Sequence, residues 1–178
     1  MKLDALSAVD IAGKRDNAKR LTRQRVRQTI FRILRKNKLC AIATLGSGGR
    51  VHINTAYFSY TSELELYFLS HPTSRHCQNI KAHPQMAIAV FDSTQTWGGQ
   101  DRGLQLFGSC TATRGTEVRK AERAYARRFK PYARWKAELT PDDLASDYRL
   151  FRFVTRRIKV FAEHEFGGAM FVTANVRQ

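Results

Sequence analysis

The residues best placed to do chemistry lie in "HPTSRHCQNIKAHP", residues 71–84, between two apolar runs, "LELYFLS" and "QMAIAVF". Ser74 stands where a helix N-cap belongs, and Arg75 and His76 fall in the first turn. Cations there oppose the helix dipole, whose positive end favours anions. A hydroxyl, free N–H groups, an Arg and a His around one helix start suit a phosphate; the same residues also suit a solvated turn. No Ser-His-Asp, paired-carboxylate or metal-ligand pattern accompanies them, and His71, His83 and His164 stand singly. Cys40, Cys77 and Cys110 are an odd number without CxxC spacing, each in or beside an apolar run. They read as buried, reduced thiols of a cytoplasmic protein, not as a metal site.

The chain has 178 residues, enough for one sizeable core, and its 43% hydrophobic content is that of a globular domain. No run reaches the roughly 18–20 apolar residues of a membrane span. The first twenty residues lack a continuous apolar core and carry Asp4, Asp10 and Asp16, so they do not read as a signal peptide. Charge is lopsided: 31 Lys and Arg outnumber 15 Asp and Glu, a net +16. Residues 1–38 hold 12 basic and 3 acidic side chains, and a second basic cluster spans 119–136. Such a field favours a phosphorylated cofactor, an acidic substrate or nucleic acid, and charge alone does not choose among them.

These residues need elements to position them. Residues 1–18 have weak periodicity and read as a flexible N-terminal arm before a single domain over 19–178. Val26, Ile30, Ile33 and Leu34 mark one face of a basic amphipathic helix from about 20 to 37. The period then changes to that of strands. "LCAIATLG" ends in a "GSGG" turn, and "RVHINTAYFSY" returns with His52, Asn54, Ala56, Phe58 and Tyr60 on one face. Val51, Ile53, Thr55 and Tyr57 occupy the other face. "LELYFLS" is a third strand, 74–82 a short helix, and "QMAIAVF" and "LQLFGSCTAT" two more strands. On the last of these Gln105, Phe107, Ser109 and Thr111 share a face. A helix with a Thr cap covers "TEVRKAERAYARRF"; 131–147 read as irregular with a turn of helix at "TPDDLASD". One or two strands follow from 149, and the Gly-led tail adds a last one. The whole is mainly β with helices (α+β), a small closed barrel with helical additions.

In this order the parts resemble the flavin-binding split β-barrel family of pyridoxamine 5′-phosphate oxidase. The resemblance rests on "CAIATLGSGGRVHINTAYFSY", "LYFLSHPTSRHCQNIKAHPQMAIAVF" and "DRGLQLFGSCTAT", covering roughly residues 38–114. It looks closest to small bacterial members with a "TRH"-like turn, an "RGxQ" strand and a basic "YxRRF" helix. It implies FMN as cofactor, with the deazaflavin F420, FAD or haem as less favoured occupants of the same fold. By position, Ser74, Arg75 and His76 would hold the flavin phosphate. His52, Ile53, Asn54 and Thr55 would flank the cofactor, and Leu69 and Ser70 would lie near the ring edge. Gln105 would reach the flavin from the facing strand or from a second subunit, so the resemblance also implies a homodimer. Two departures count against a vitamin-B6 substrate: Tyr57 stands where the B6 oxidases carry Lys, and the tail "FVTANVRQ" has no Arg-x-His pair.

The leading expectation is therefore an FMN-dependent oxidoreductase acting on a small, anionic or aromatic substrate. The competing one is a non-catalytic or stress-related flavin-binding protein whose basic surface contacts nucleic acid. Against it, residues 1–38 carry a single aromatic residue, Phe31, among their arginines, too few for the interleaving that single-strand stacking needs.

Overall fold

Helix α1 (Arg23–Lys36) forms where the apolar stripe lies, and Val26, Ile30, Ile33 and Leu34 are buried along it. Thr22 caps it, its hydroxyl accepting from the Arg25 N–H at 3.2 Å, and Arg35 and Lys36 complement the dipole in the last turn. The computed structural model describes residues 1–13, 15–16 (backbone only) and 21–177. The other elements are β1 (Lys2–Asp10), β2 (Arg15–Asp16), β3 (Leu39–Leu45), β4 (Val51–Tyr60), β5 (Glu65–Ser70) and α2 (Arg75–Ala82). There follow β6 (Gln85–Phe91), β7 (Arg102–Ala112), α3 (Thr116–Arg128), α4 (Tyr132–Ala137), β8 (Arg149–Ala162), α5 (Glu163–Phe166) and β9 (Met170–Arg177).

Six antiparallel strands close into a barrel in the order β8-β5-β4-β3-β6-β7, the β7–β8 ladder completing the ring. β8 is shared: residues 149–154 pair with β5, residues 157–161 pair with β9, and β7 runs along both halves. The β7–β8 register shifts between Phe107 and Gly108, where a Cβ on Gly108 would fall 2.0 Å from the Val154 carbonyl oxygen. Only glycine allows that approach at the bulge. Ile42, Phe58, Leu66, Phe68, Ile88, Leu106 and Phe153 fill the interior, with α1 contributing from one end. Each such side chain contributes about 1.5–3 kcal/mol on burial. A smaller cluster of Tyr67, Tyr125, Tyr132 and Leu150 packs α3 and α4 on the outer side of β5.

Three expectations need correction. Residues 2–10 are not a loose arm but a strand paired antiparallel with β9, burying Leu3 and Ala8. Its register shifts between Asp4 and Ser7, with Ala5 at φ 47°, and that break scrambled the alternation in the sequence. The remainder of the expected arm at 14 and 17–18 lies outside the described residues. Helix α3 is not opened by a Thr cap, because Gly115 at φ 55° takes the N-cap position and Thr116 is already helical. The stretch 131–147, read as irregular, contains α4 as well as a 3₁₀ turn at Leu144–Asp147. The basic helix, the strands and the closed barrel stand as expected. Among the described residues no helix is long and apolar enough to cross a membrane.

Candidate functional site

β5 and α2 bring the polar residues together. Strand alternation turns Leu66, Phe68 and Ser70 into the barrel and Glu65, Tyr67 and Leu69 towards α3. The chain then turns through His71–Ser74, the Ser74 N–H donating to the His71 carbonyl at 3.0 Å, and α2 begins. The Ser70 hydroxyl lies 2.8 Å from His76 Nε2, the Ser74 hydroxyl 3.2 Å from the same nitrogen, and the two hydroxyls 3.3 Å apart. The His52 ring, projecting from β4, is parallel to the His76 ring with centroids 6.4 Å apart. Asn79 anchors the helix from below, donating to the Thr44 hydroxyl at 3.1 Å. Cys77 sits beside Ser70 and Ser74, and burial raises its thiol pKa.

Ser74 occupies the N-cap position, but its hydroxyl caps no backbone N–H; it is turned to Ser70 and His76. The first-turn N–H groups of α2 are thus left for an outside acceptor. Arg75 begins the helix, is exposed, and has no hydrogen bond or ion pair among the described residues. His76 is buried, and desolvation, with a smaller contribution from His52, lowers its pKa. A neutral imidazole tied to two serines follows, so the cationic part of any anion binding falls to Arg75. A free guanidinium, unused helix N–H groups and two hydroxyls form a donor set of the kind a phosphate monoester takes.

The remaining expected residues are spread over two other surfaces. Asn54 shares the His52 face of β4, and its amide donates to the Thr55 carbonyl at 3.0 Å. Ile53, Thr55 and Gln105 lie on the outer face of the barrel. There Thr55 pairs with Ala41, Ala41 with Ala89, and Ala89 with Gln105 in one lateral row. Three strand spacings of about 4.8 Å put roughly 14 Å between Thr55 and Gln105. Gln105 lines a shallow groove with Phe91, Lys159 and Phe171. Leu69, on the opposite side of β5 from Ser70, faces α3 and α4 and lines a small cavity with Tyr132, Trp135 and Tyr148.

The outer face carries a feature that alternation alone did not reveal. Val51, Ile53 and Tyr57 are more than half exposed, Leu39, Leu45, Phe91 and Phe107 are exposed beside them, and Ala41, Ala43, Ala87 and Ala89 floor the middle. The signal was present in the sequence as strands apolar on both faces, although a barrel needs only one apolar face. Also unforeseen was Glu65, fully buried under α3. It accepts from Arg152 Nε at 2.9 Å, from Lys120 at 2.5 Å and from the Tyr67 hydroxyl at 3.1 Å.

Comparison with known proteins fits this geometry. The family model described as pyridoxamine 5′-phosphate oxidase matches residues 26–160. No curated protein matches the chain. Among solved structures, a protein related to general stress protein 26 from Clostridium acetobutylicum superposes with TM-score 0.64 at 12% identity, over 86% of this chain and 96% of that one. A haem-binding protein from Mycobacterium smegmatis gives 0.64 at 16% identity; 84% of this chain is covered, against 56% of that longer one. The haem storage protein HutZ from Vibrio cholerae gives 0.59 at 18% identity, over 81% of this chain and 92% of that one. With the barrel, its closing ladder and three quarters of the sequence matched, the chain belongs to the pyridoxamine 5′-phosphate oxidase family of split barrels.

Proposed function

We propose that this protein is an FMN-dependent oxidoreductase that works as a homodimer on a small substrate. The observation that carries the reading is the start of α2, where an unpartnered Arg75 and uncapped N–H groups stand beside the Ser70, Ser74 and His76 cluster. In this reading Arg75 and the first-turn N–H groups bind the flavin phosphate, Ser70 and Ser74 orient it, and His52 and Asn54 flank the ribityl chain. The flavin, when bound, supplies the hydride or electron transfer, and the protein's part is orientation and local electrostatics. Neutral His76 holds the two serines without adding charge next to the phosphate.

The exposed apolar face of β3, β4, β6 and β7 supports the dimer, since patches of this kind mark interaction surfaces. A two-fold contact there would place Thr55 and Gln105 from both copies around one groove, which answers their separation within one chain. Ile53→Glu on that face should convert a dimer to a monomer in light scattering and release the flavin with it. A wild-type monomer that retains flavin stoichiometrically would remove the two-chain site. The cofactor itself is tested by the colour of purified protein and by what the supernatant holds after denaturation: FMN is expected, and haem or no cofactor would overturn the assignment.

A further inference from the structure

Helices α1 and α3 enclose a second polar site that the flavin reading does not use. Arg27, Phe31 and Arg35 recur at i, i+4 and i+8 on α1, and Lys120, Arg123 and Arg127 at i, i+3 and i+7 on α3; together they line a cleft of about 690 Å³. That volume lies within the range of small-molecule sites. Its floor is Tyr60, held beneath Arg128, whose guanidinium lies 4.8 Å from the Tyr60 ring centre. Arg128 also donates to the Leu34 carbonyl at 2.8 Å and to that of Asn37, so it fastens α3 to the end of α1. Lys120 is engaged by Glu65. Arg35, Arg123 and Arg127 have no hydrogen bond or ion pair among the described residues, and Arg27 only stacks 5.3 Å from the Phe31 ring centre. Elsewhere on these helices and α4 some cations have carboxylates, as Arg32 with Glu165, Arg134 with Glu138 and Lys136 with Glu122, whereas Arg25, Lys36 and Arg119 have none among the described residues. What sets the cleft apart is that its unpaired guanidinium groups line one cavity. Among the described residues that line the cleft the sole acid is Glu63, held by the Ser62 hydroxyl at 2.6 Å.

We propose that this cleft binds a small molecule carrying a chain of phosphoryl groups, in the class of nucleoside di- and triphosphates. Four uncompensated guanidinium groups around one cavity repel one another, and a compact polyanion relieves that repulsion while accepting bidentate hydrogen bonds. From Arg27 to Arg35 the wall is about 12 Å long, room for only three or four phosphates of a nucleic-acid strand. Single-strand binding also needs bare aromatic faces, and Arg27 and Arg128 already cover Phe31 and Tyr60.

The test is calorimetric titration of the purified full-length protein with tripolyphosphate, ATP and, separately, a single-stranded oligonucleotide. Tripolyphosphate and ATP should bind, and the exposed pair Arg123→Ala/Arg127→Ala should lose about tenfold in affinity per arginine removed, with flavin content unchanged. Arg35→Ala, on the opposite wall, should lose about tenfold independently, which protects the conclusion if the α3 variant folds poorly. Lys81→Ala/Arg114→Ala, two exposed cations away from the cleft, should bind as wild type does. Equal loss in that pair would mean a diffuse field and would overturn the site. So would absence of binding, or oligonucleotide binding tighter than ATP and abolished by the same cleft variants.

Discussion

The two faces of β5 hold buried polar groups of opposite kinds. On the α3 side Glu65 is saturated: Arg152, Lys120 and Tyr67 all donate to it, and Arg152 also reaches Glu117. Burial alone would raise the Glu65 pKa, but the Lys120 and Arg152 hydrogen bonds outweigh it and hold the carboxyl below its ordinary value. On the barrel side, Ser70, Ser74 and His76 satisfy one another with neutral groups only, while the adjoining cation, Arg75, has no hydrogen bond or ion pair among the described residues. A charge surrounded by its own counter-charges fastens elements together. A neutral cluster beside a cation and an uncapped helix start has donors to spare, which is why the proposed reading puts an outside anion there.

Several substitutions would break or sharpen that contrast. The largest effect belongs to Glu65→Ala, which removes the shared buried acceptor of Arg152, Lys120 and Tyr67, leaves Arg152 with Glu117 alone, and should cost about 3 kcal/mol in denaturant unfolding. A loss below 1 kcal/mol would mean the cluster is not a fastening. Next is Arg75→Ala, which should leave stability unchanged but weaken FMN binding by about 1.5–3 kcal/mol in equilibrium dialysis. Equal flavin retention would end the phosphate assignment. His76→Asn should cost about 1–2 kcal/mol through the lost bonds to Ser70 and Ser74. It should also alter the pH profile. Because the folded state lowers the His76 pKa, its contribution is full above the unfolded value of about 6.5 and is lost as pH falls through the lower folded value. Wild type should therefore lose stability on acidification below about 6.5, and the variant should lack that slope. Glu65, with its pKa also lowered, adds a separate loss only below the ordinary carboxylate range near 4.3. Smallest is Lys120→Met: the lysine is half exposed, so solvent screens its pairing with Glu65 and the cost should stay under about 1 kcal/mol.

Much of this was legible in the residues. The α1 stripe, the β4 alternation and the turn into α2 follow from periods of 3.6 and 2.0, which local sterics impose regardless of the rest of the molecule. Ser74 was correctly placed at the head of α2, but its hydroxyl turned to His76, because a buried imidazole nitrogen needs a partner more than an exposed N–H does. Leu69 and Ser70 are adjacent in sequence, yet alternation sends them to opposite sides of β5. Sequence spacing showed two basic clusters far apart, and only the tertiary fold, with Arg128 of α3 bonded to the end of α1, joined them into one cleft.

By itself, then, the sequence determined α1, the barrel strands β3 to β8, the helices α2 and α3, their order, and the chemistry available at the start of α2, because periodicity and charge are local properties. The tertiary structure decided what no local pattern encodes. It set residues 2–10 against β9, closed β7 onto β8 where Gly108 permits the approach, and joined Glu65 to Arg152 across 87 positions. Those pairings depend on loop closure and on which surfaces exclude water together, and a strand carries no mark of which distant partner will cover it.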